Sequence, residues 1–173
     1  MTTIHTLASG SSGNALLLRC GGTNLLLDAG ISCRRIAVAL RELGLALTDL
    51  NAVLITHTHS DHISGMQTLM GRTDFPVYAS AQTCRELSYR LAGIDHRLQP
   101  CEYGSETSVG DCAVTPFPTS HDSPGSCGYR IDTADGAVGV LTDTGYVTAE
   151  ARQTLSGAEL LVLEANHDVD TLR

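Results

Sequence analysis

The feature that most constrains this fold is a run of six residues that contains three imidazole groups and a carboxylate. The run is His57-Thr58-His59-Ser60-Asp61-His62, and it follows the apolar, β-branched segment 52–56, which predicts a buried strand. A helical pattern resumes directly after it. Histidine is otherwise sparse in this chain and seldom clusters without a ligand role. The pattern therefore predicts a metal-binding loop between a strand and a helix.

The spacing of the four side chains predicts two neighbouring metal sites. Imidazole and carboxylate are the groups that zinc and similar divalent ions prefer as ligands. Alternate side chains of an extended segment share a face, so His57 and His59 can bind one ion. The turn that follows carries Asp61 and His62 towards a second ion.

Two more residues of metal-ligand type follow apolar segments further along the chain. His121 comes after the segment 114–117 and Asp143 after the segment 138–141, where loops gather into sites. We expect three histidines at one ion, an aspartate and a histidine at the other, and a bridging carboxylate: His57, His59 and His121; Asp61 and His62; and Asp143. Two ions roughly 3.5–4 Å apart would share a hydroxide nucleophile, which Asp61 would orient and deprotonate.

Three further segments are candidates for contacts around the metals or with the substrate. The glycine-rich segment 9–14 offers hydroxyls and free N–H groups from Ser9, Ser11, Ser12 and Asn14. By residue type it is equally an anion-binding nest or a flexible hairpin turn. Asp28 either accepts a hydrogen bond from a ligand histidine or only forms a turn. His167 either contacts the site from outside the ligand shell or caps a strand.

The order of predicted elements favours an α/β domain that spans residues 1–173. Two leucine-rich segments, 15–20 and 23–27, flank Gly21-Gly22 and predict a hairpin whose strands are covered on both faces. Helices are predicted over 32–43 and 83–91, and shorter strands follow residue 97. The chain ends with a predicted helix over 148–155 and a predicted buried strand over 159–163. Strand–helix alternation followed by short strands suits a layered domain.

Composition narrows the possible functions. Apolar residues make up 42% of the chain and the formal net charge is −8, which argues against a broad basic surface for duplex nucleic acid. No window is apolar enough to span a membrane, and no export signal is evident, so we expect a cytoplasmic protein. The six cysteines form no Cys-x-x-Cys pair, and we expect them to be reduced and mostly core-filling.

The motifs together resemble the metallo-β-lactamase superfamily. The metal-loop motif at 57–62 and the turn Leu27-Asp28-Ala29-Gly30 carry this resemblance, which implies a four-layer αββα sandwich with a dinuclear site along one edge. The segments 7–14 and Glu164-Ala165-Asn166-His167-Asp168 are similar to the WalJ/YycJ-type branch. That branch implies a metal-dependent phosphodiesterase, a 5′→3′ DNA exonuclease. DNA would then be the partner, and segment 9–14 would bind its terminal phosphate.

One departure from the branch bears on activity. Members continue well beyond Asp168 and carry a last ligand histidine in a Gly-His motif, so we expect this chain to be a fragment whose sandwich is incomplete on the C-terminal side. The alternatives are a metallohydrolase of small esters, lactones or thioesters, favoured by the acidic charge, and an inactive metal-binding remnant. The sequence does not distinguish zinc, manganese and iron as the two ions.

Overall fold

The computed structural model describes residues 1–164, which form two mixed β-sheets and five α-helices. The first sheet has the strand order β1-β2-β3-β4-β5-β6: Thr3–Ala8, Ala15–Cys20, Thr23–Leu27, Ala52–Leu54, Val77–Ser80 and Leu98–Cys101. The second has the order β11-β10-β9-β8-β7: Leu160–Leu163, Gly136–Leu141, Cys127–Thr133, Cys112–Pro118 and Thr107–Val109. The helices are α1 to α5: Cys33–Glu42, Ser60–Ile63, Met66–Met70, Ala81–Arg90 and Ala149–Thr154.

The predicted leucine-rich hairpin is confirmed, and its alternation defines two apolar layers. Strands β2 and β3 pair antiparallel, with Leu17 opposite Leu26 and Leu18 opposite Leu25. Leu17 and Leu26 pack in the cluster that contains the apolar faces of α1, α3 and α4. Leu18 and Leu25 point to the other face and pack against residues of the second sheet. Both faces of the hairpin are therefore buried, as the uninterrupted leucines predict.

A third apolar cluster completes the layered architecture. Phe117 and Leu141 of the second sheet pack with Ala151 and Leu155 at helix α5. The order of layers is helices, first sheet, second sheet, helix, which confirms the predicted αββα sandwich.

The bounds of most predicted elements agree with the structure, with two differences. Strand β7 was not predicted, because three residues give too short a pattern to recognise. The prediction that 159–163 is a buried strand is wrong in its burial: β11 lies at the edge of its sheet, and Leu160, Leu161 and Leu163 are 48%, 44% and 55% exposed. None of the helices within residues 1–164 combines the length and hydropathy that a membrane span needs.

The prediction of six reduced cysteines is wrong for two of them. Cys20 ends β2 and Cys112 begins β8, and a disulfide joins them. Both side chains lie in the apolar layer between the sheets, so the bond links one sheet to the other. The remaining four cysteines are free and buried, as predicted: Cys33, Cys84, Cys101 and Cys127.

Candidate metal centre

The predicted ligands meet at one edge of the sandwich because several strands end there. Strands β3 and β4 are parallel neighbours, so Asp28 after β3 lies beside the loop that begins at Thr56 after β4. His121 follows β8 and Asp143 follows β10, both from the second sheet. The site is thus built from loops of both sheets, which hold it without any single element spanning it.

Three histidines form the first donor set. His121 Nε2 lies 3.2 Å from His57 Nε2 and 3.1 Å from His59 Nδ1. One nitrogen from each ring lies within 4.8 Å of the others. The His57 side chain is buried and that of His59 is 40% exposed, so this set opens to solvent on one side.

His57 also belongs to a second donor set, with His62 and Asp143. Nε2 of the fully buried His62 lies 3.1 Å from Asp143 Oδ2, an oxygen that has no hydrogen-bond partner among the described residues. The backbone of Asp143 is left-handed, with φ 48°, and its N–H donates to the carboxylate of Glu164 at 2.9 Å. This turn directs the Asp143 carboxylate towards His62.

Asp28 orients both buried imidazoles. Its carboxylate accepts hydrogen bonds from His62 Nδ1 at 2.8 Å and from the Thr56 hydroxyl at 2.8 Å. The Thr56 oxygen lies 3.0 Å from His57 Nδ1 and can accept its proton. In these tautomers the Nε2 atoms of His57 and His62 carry lone pairs directed into the site, which is the arrangement that outer carboxylates impose on metal-binding histidines.

The same groups perturb the ionisation of the two buried rings. Burial, together with the positive charge of His62, lowers the pKa of His57 to about 4. Burial opposes protonation of His62 as well, but the carboxylates of Asp143 and Asp28 outweigh it and raise the pKa of His62 to about 10. Carboxylates that hold a proton this firmly also supply the negative charge that a divalent cation requires.

The donor chemistry fits divalent metal ions. Imidazole nitrogens that face one another at 3.1–3.2 Å repel through their lone pairs, and a cation between them removes that repulsion. The buried Asp143 oxygen opposite His62 is a further unsatisfied acceptor aimed into the same space. Buried acceptors without donors are costly, so this cluster is suited to a metal rather than to an apolar core.

Asp61 lies beside the second set without belonging to it. Its Oδ2 is 3.5 Å from His62 Nε2 and accepts a hydrogen bond from Asn14 Nδ2 at 3.3 Å. The same Asn14 amide lies 3.0 Å from His62 Nε2, and its carbonyl oxygen accepts from the N–H of Gly10. Segment 9–14 therefore reaches the metal centre through Asn14.

The three serines of this segment are oriented differently from Asn14. Ser9, Ser11 and Ser12 are exposed, on a turn where Gly10 and Gly13 have φ 128° and 140°. Such values favour glycine, which explains the repeated glycines in the segment. A role in anion binding stays a prediction for these serines, and His167 lies outside the described residues.

Two contributors to this centre were not singled out from the sequence. Thr56 relays between Asp28 and His57, and Asp122 Oδ1 lies 3.7 Å from His59 Nε2 and 3.4 Å from His121 Nδ1. Their only sequence signal is that each adjoins a predicted ligand, which many surface residues share.

Comparisons with known proteins agree with this geometry. The chain is 35% identical over 169 residues to the exodeoxyribonuclease YycJ of Bacillus anthracis, which covers 96% of this chain and 64% of that protein. It is 39% identical over 170 residues to the exodeoxyribonuclease WalJ of Streptococcus pneumoniae, which covers 96% of this chain and 63% of that protein. The chain thus spans slightly less than two thirds of the length of these relatives.

Solved structures match the fold at lower identity. Zinc-bound PqqB from Methylobacterium extorquens aligns with a TM-score of 0.81 at 17% identity, covering 95% of this chain and 72% of that chain. The Rm3 metallo-beta-lactamase aligns with a TM-score of 0.70 at 19% identity, covering 92% and 74%. The model of the beta-lactamase superfamily domain matches residues 23–171. This protein therefore belongs to the beta-lactamase superfamily.

Proposed function

We propose that this chain is a metal-dependent phosphodiesterase that removes nucleotides from the 5′ end of DNA. The observation that carries the proposal is the pair of donor sets joined at His57, in a chain that is 35–39% identical to two exodeoxyribonucleases over 96% of its length. Superfamily membership alone supports a hydrolase, and the relatives add the substrate class.

In this proposal the chain binds two divalent ions, zinc, manganese or iron. One ion is held by His57, His59 and His121, and the other by Asp61 and His62, with Asp143 between them. Ions in such sites lower the pKa of water and stabilise the negative charge that develops on a phosphate.

The remaining roles belong to side chains of the protein. Asp61 accepts the proton of the attacking water; its carboxylate is 27% exposed, and Asn14 donates a hydrogen bond to it. Asp28 keeps His62 in the tautomer that directs Nε2 inward. The exposed segment 9–14, joined to the centre through Asn14, binds the terminal phosphate of the strand.

End-labelled duplex DNA, with Mn²⁺ or Zn²⁺, tests the proposal alongside a panel of lactones and thioesters. We expect nucleotides to be released from the 5′ end only. His59→Ala should abolish this release, because it removes one donor of the first set, whereas His96→Ala, at an exposed histidine on a distant turn, should not change it. Turnover of a lactone or thioester without release of nucleotides would reject the nuclease assignment.

Hydrolysis of bis-(p-nitrophenyl) phosphate separates an enzyme from an inactive metal-binding protein. This small diester needs only the metal centre, so it reports the chemistry independently of DNA binding. One ion per chain with no turnover would support the inactive alternative.

A further inference from the structure

Helix α1 and the end of strand β1 border a cleft that the proposed chemistry does not use. Its volume is about 480 Å³, within the range of small-molecule sites. The lining combines apolar residues with two arginines, and one glutamate lies at the far end: Leu7, Ile31, Val38, Arg34, Arg35 and Glu42. Leu7 immediately precedes the segment 9–14, so the cleft begins where that segment begins.

Arg34 and Arg35 give this cleft a concentrated positive charge on an acidic protein. Both are exposed, and within residues 1–164 their guanidinium groups make no hydrogen bond or ion pair, whereas Arg97 and Arg130 face the carboxylates of Asp74 and Asp132. The first turn of α1 contains no acidic residue. Glu42 lies seven residues beyond Arg35, about 10 Å along the helix axis.

Backbone contacts connect the cleft to the metal centre. Gly30, next to Ile31, donates its N–H to the carbonyl of Asn14 at 2.8 Å. Asn14 in turn donates its own N–H to the carbonyl of Asp61 at 2.7 Å. The cleft, the segment 9–14 and the metal loop therefore form one continuous surface, held by hydrogen bonds with little freedom to separate.

We propose that Arg34 and Arg35 bind backbone phosphates of the DNA strand whose end lies at the metal centre. This inference rests on the proposed function and adds the path of the strand across the protein. Guanidinium groups bind phosphate oxygens in pairs, and such contacts are independent of base sequence. The apolar floor gives the sugars and bases a surface to pack against.

The chain itself limits how far along the strand these contacts lie. Arg35 is seven residues beyond Asp28, which contacts His62, so the two Cα atoms are at most about 25 Å apart. At roughly 3.4 Å per nucleotide, the contacted phosphates lie within about seven nucleotides of the cleaved bond. A dinucleotide is too short to reach both places.

Binding of a fluorescent strand of about twelve nucleotides, measured by anisotropy in EDTA over a salt series, tests the inference. We expect Arg34→Gln/Arg35→Gln to weaken binding at least about tenfold, and to reduce the slope of log Kd against log salt by roughly one. The matched control is Arg72→Gln/Arg85→Gln, which removes the same charge from exposed positions elsewhere. The control should bind within about twofold of the unmodified protein.

Hydrolysis separates this inference from the function on which it rests. With the longer strand, Arg34→Gln/Arg35→Gln should raise KM, whereas turnover of a dinucleotide and of bis-(p-nitrophenyl) phosphate should be unchanged. Equal weakening by both double variants, or no binding of the strand by the unmodified protein, would overturn the inference. Binding that depends on Arg34 and Arg35 without any cleavage would instead overturn the proposed exonuclease.

Discussion

At the scale of single residues, Asp28 controls whether His62 presents a lone pair to the site. Asp28→Asn retains the shape of the side chain and tolerates the left-handed backbone, which has φ 59° here. It replaces an oxygen that accepts from Thr56 and His62 with an amide that donates. His62 must then accept at Nδ1 and carry its proton at Nε2. We expect metal affinity to fall about 10–100-fold, measured by competition with a chromophoric chelator.

The matched control is Asp74→Asn, at a side chain that is 91% exposed. It removes the same charge far from the donor sets, so its metal affinity should equal that of the unmodified protein. Equal affinities for Asp28→Asn and Asp74→Asn would show that Asp28 does not determine the tautomer of His62.

Gly30 is required because the metal loop packs against its Cα. A methyl group at this position would overlap the backbone carbonyl of Asp61 and approach the backbone nitrogen of Asn14 to 2.7 Å. Backbone atoms cannot move aside without displacing the loop, so Gly30→Ala should lower the free energy of unfolding by about 1–3 kcal/mol or more. Urea denaturation measures the change. In Gly71→Ala the new methyl meets only ordinary contacts, at 3.5 Å, and should cost much less.

The ligand candidates were predictable from the sequence because histidine spacing after a strand has a direct chemical meaning. Thr56 and Asp122 were not, because their roles depend on which strands become neighbours. The contact between Thr56 and Asp28 exists only because β3 and β4 are parallel and in register, with Leu27 opposite Leu54.

At the scale of elements, Tyr129 on β9 ties the second sheet to the strand that leads into the metal loop. Its buried hydroxyl donates to the carbonyl of Ile55 at 2.7 Å. Tyr129→Phe leaves that carbonyl with only the weak thiol donor of Cys127, at 3.8 Å. We expect a loss of about 1–3 kcal/mol in the free energy of unfolding.

Tyr89→Phe provides the matched comparison, because Tyr89 is 92% exposed and loses only contacts with water. Urea denaturation of both variants should show destabilisation for Tyr129→Phe alone. Similar values for the two variants would mean that the hydroxyl of Tyr129 does not stabilise the join between the sheets.

Elements with a strong pattern were predicted and those that depend on distant partners were not. The leucines of β2 and β3 are buried on both faces whatever their neighbours, so the sequence pattern suffices. The leucines of β11 show the same pattern, yet they lie at a sheet edge and are largely exposed. The bond between Cys20 and Cys112 joins residues 92 positions apart, which no local pattern indicates.

At the scale of the whole molecule, the metal centre depends on the packing of the two sheets. The loop at 57–62 belongs to the first sheet, whereas His121 and Asp143 follow strands of the second. Local pattern predicted each residue as a ligand but not their meeting, which came from the family resemblance. Their convergence within 4.8 Å follows from sheet packing, so metal binding and the sandwich should stabilise each other.

The shared position of His57 predicts an asymmetry in metal content. His57 belongs to both donor sets, whereas His59 belongs to one. If the unmodified chain binds two ions, His59→Gln should retain one, and His57→Gln should lose both. Elemental analysis after dialysis counts the ions, and thermal unfolding with excess Zn²⁺ gives an independent measure. Each site should add about 2.7 kcal/mol of stability when the free ion is at 100 times its Kd, so the rise in Tm should shrink stepwise from the unmodified protein to His59→Gln to His57→Gln. His96→Gln, exposed and remote, should behave as the unmodified chain. Equal metal content in the His57 and His59 variants would show that the two ions do not depend on a common histidine, and that the centre is two separate sites.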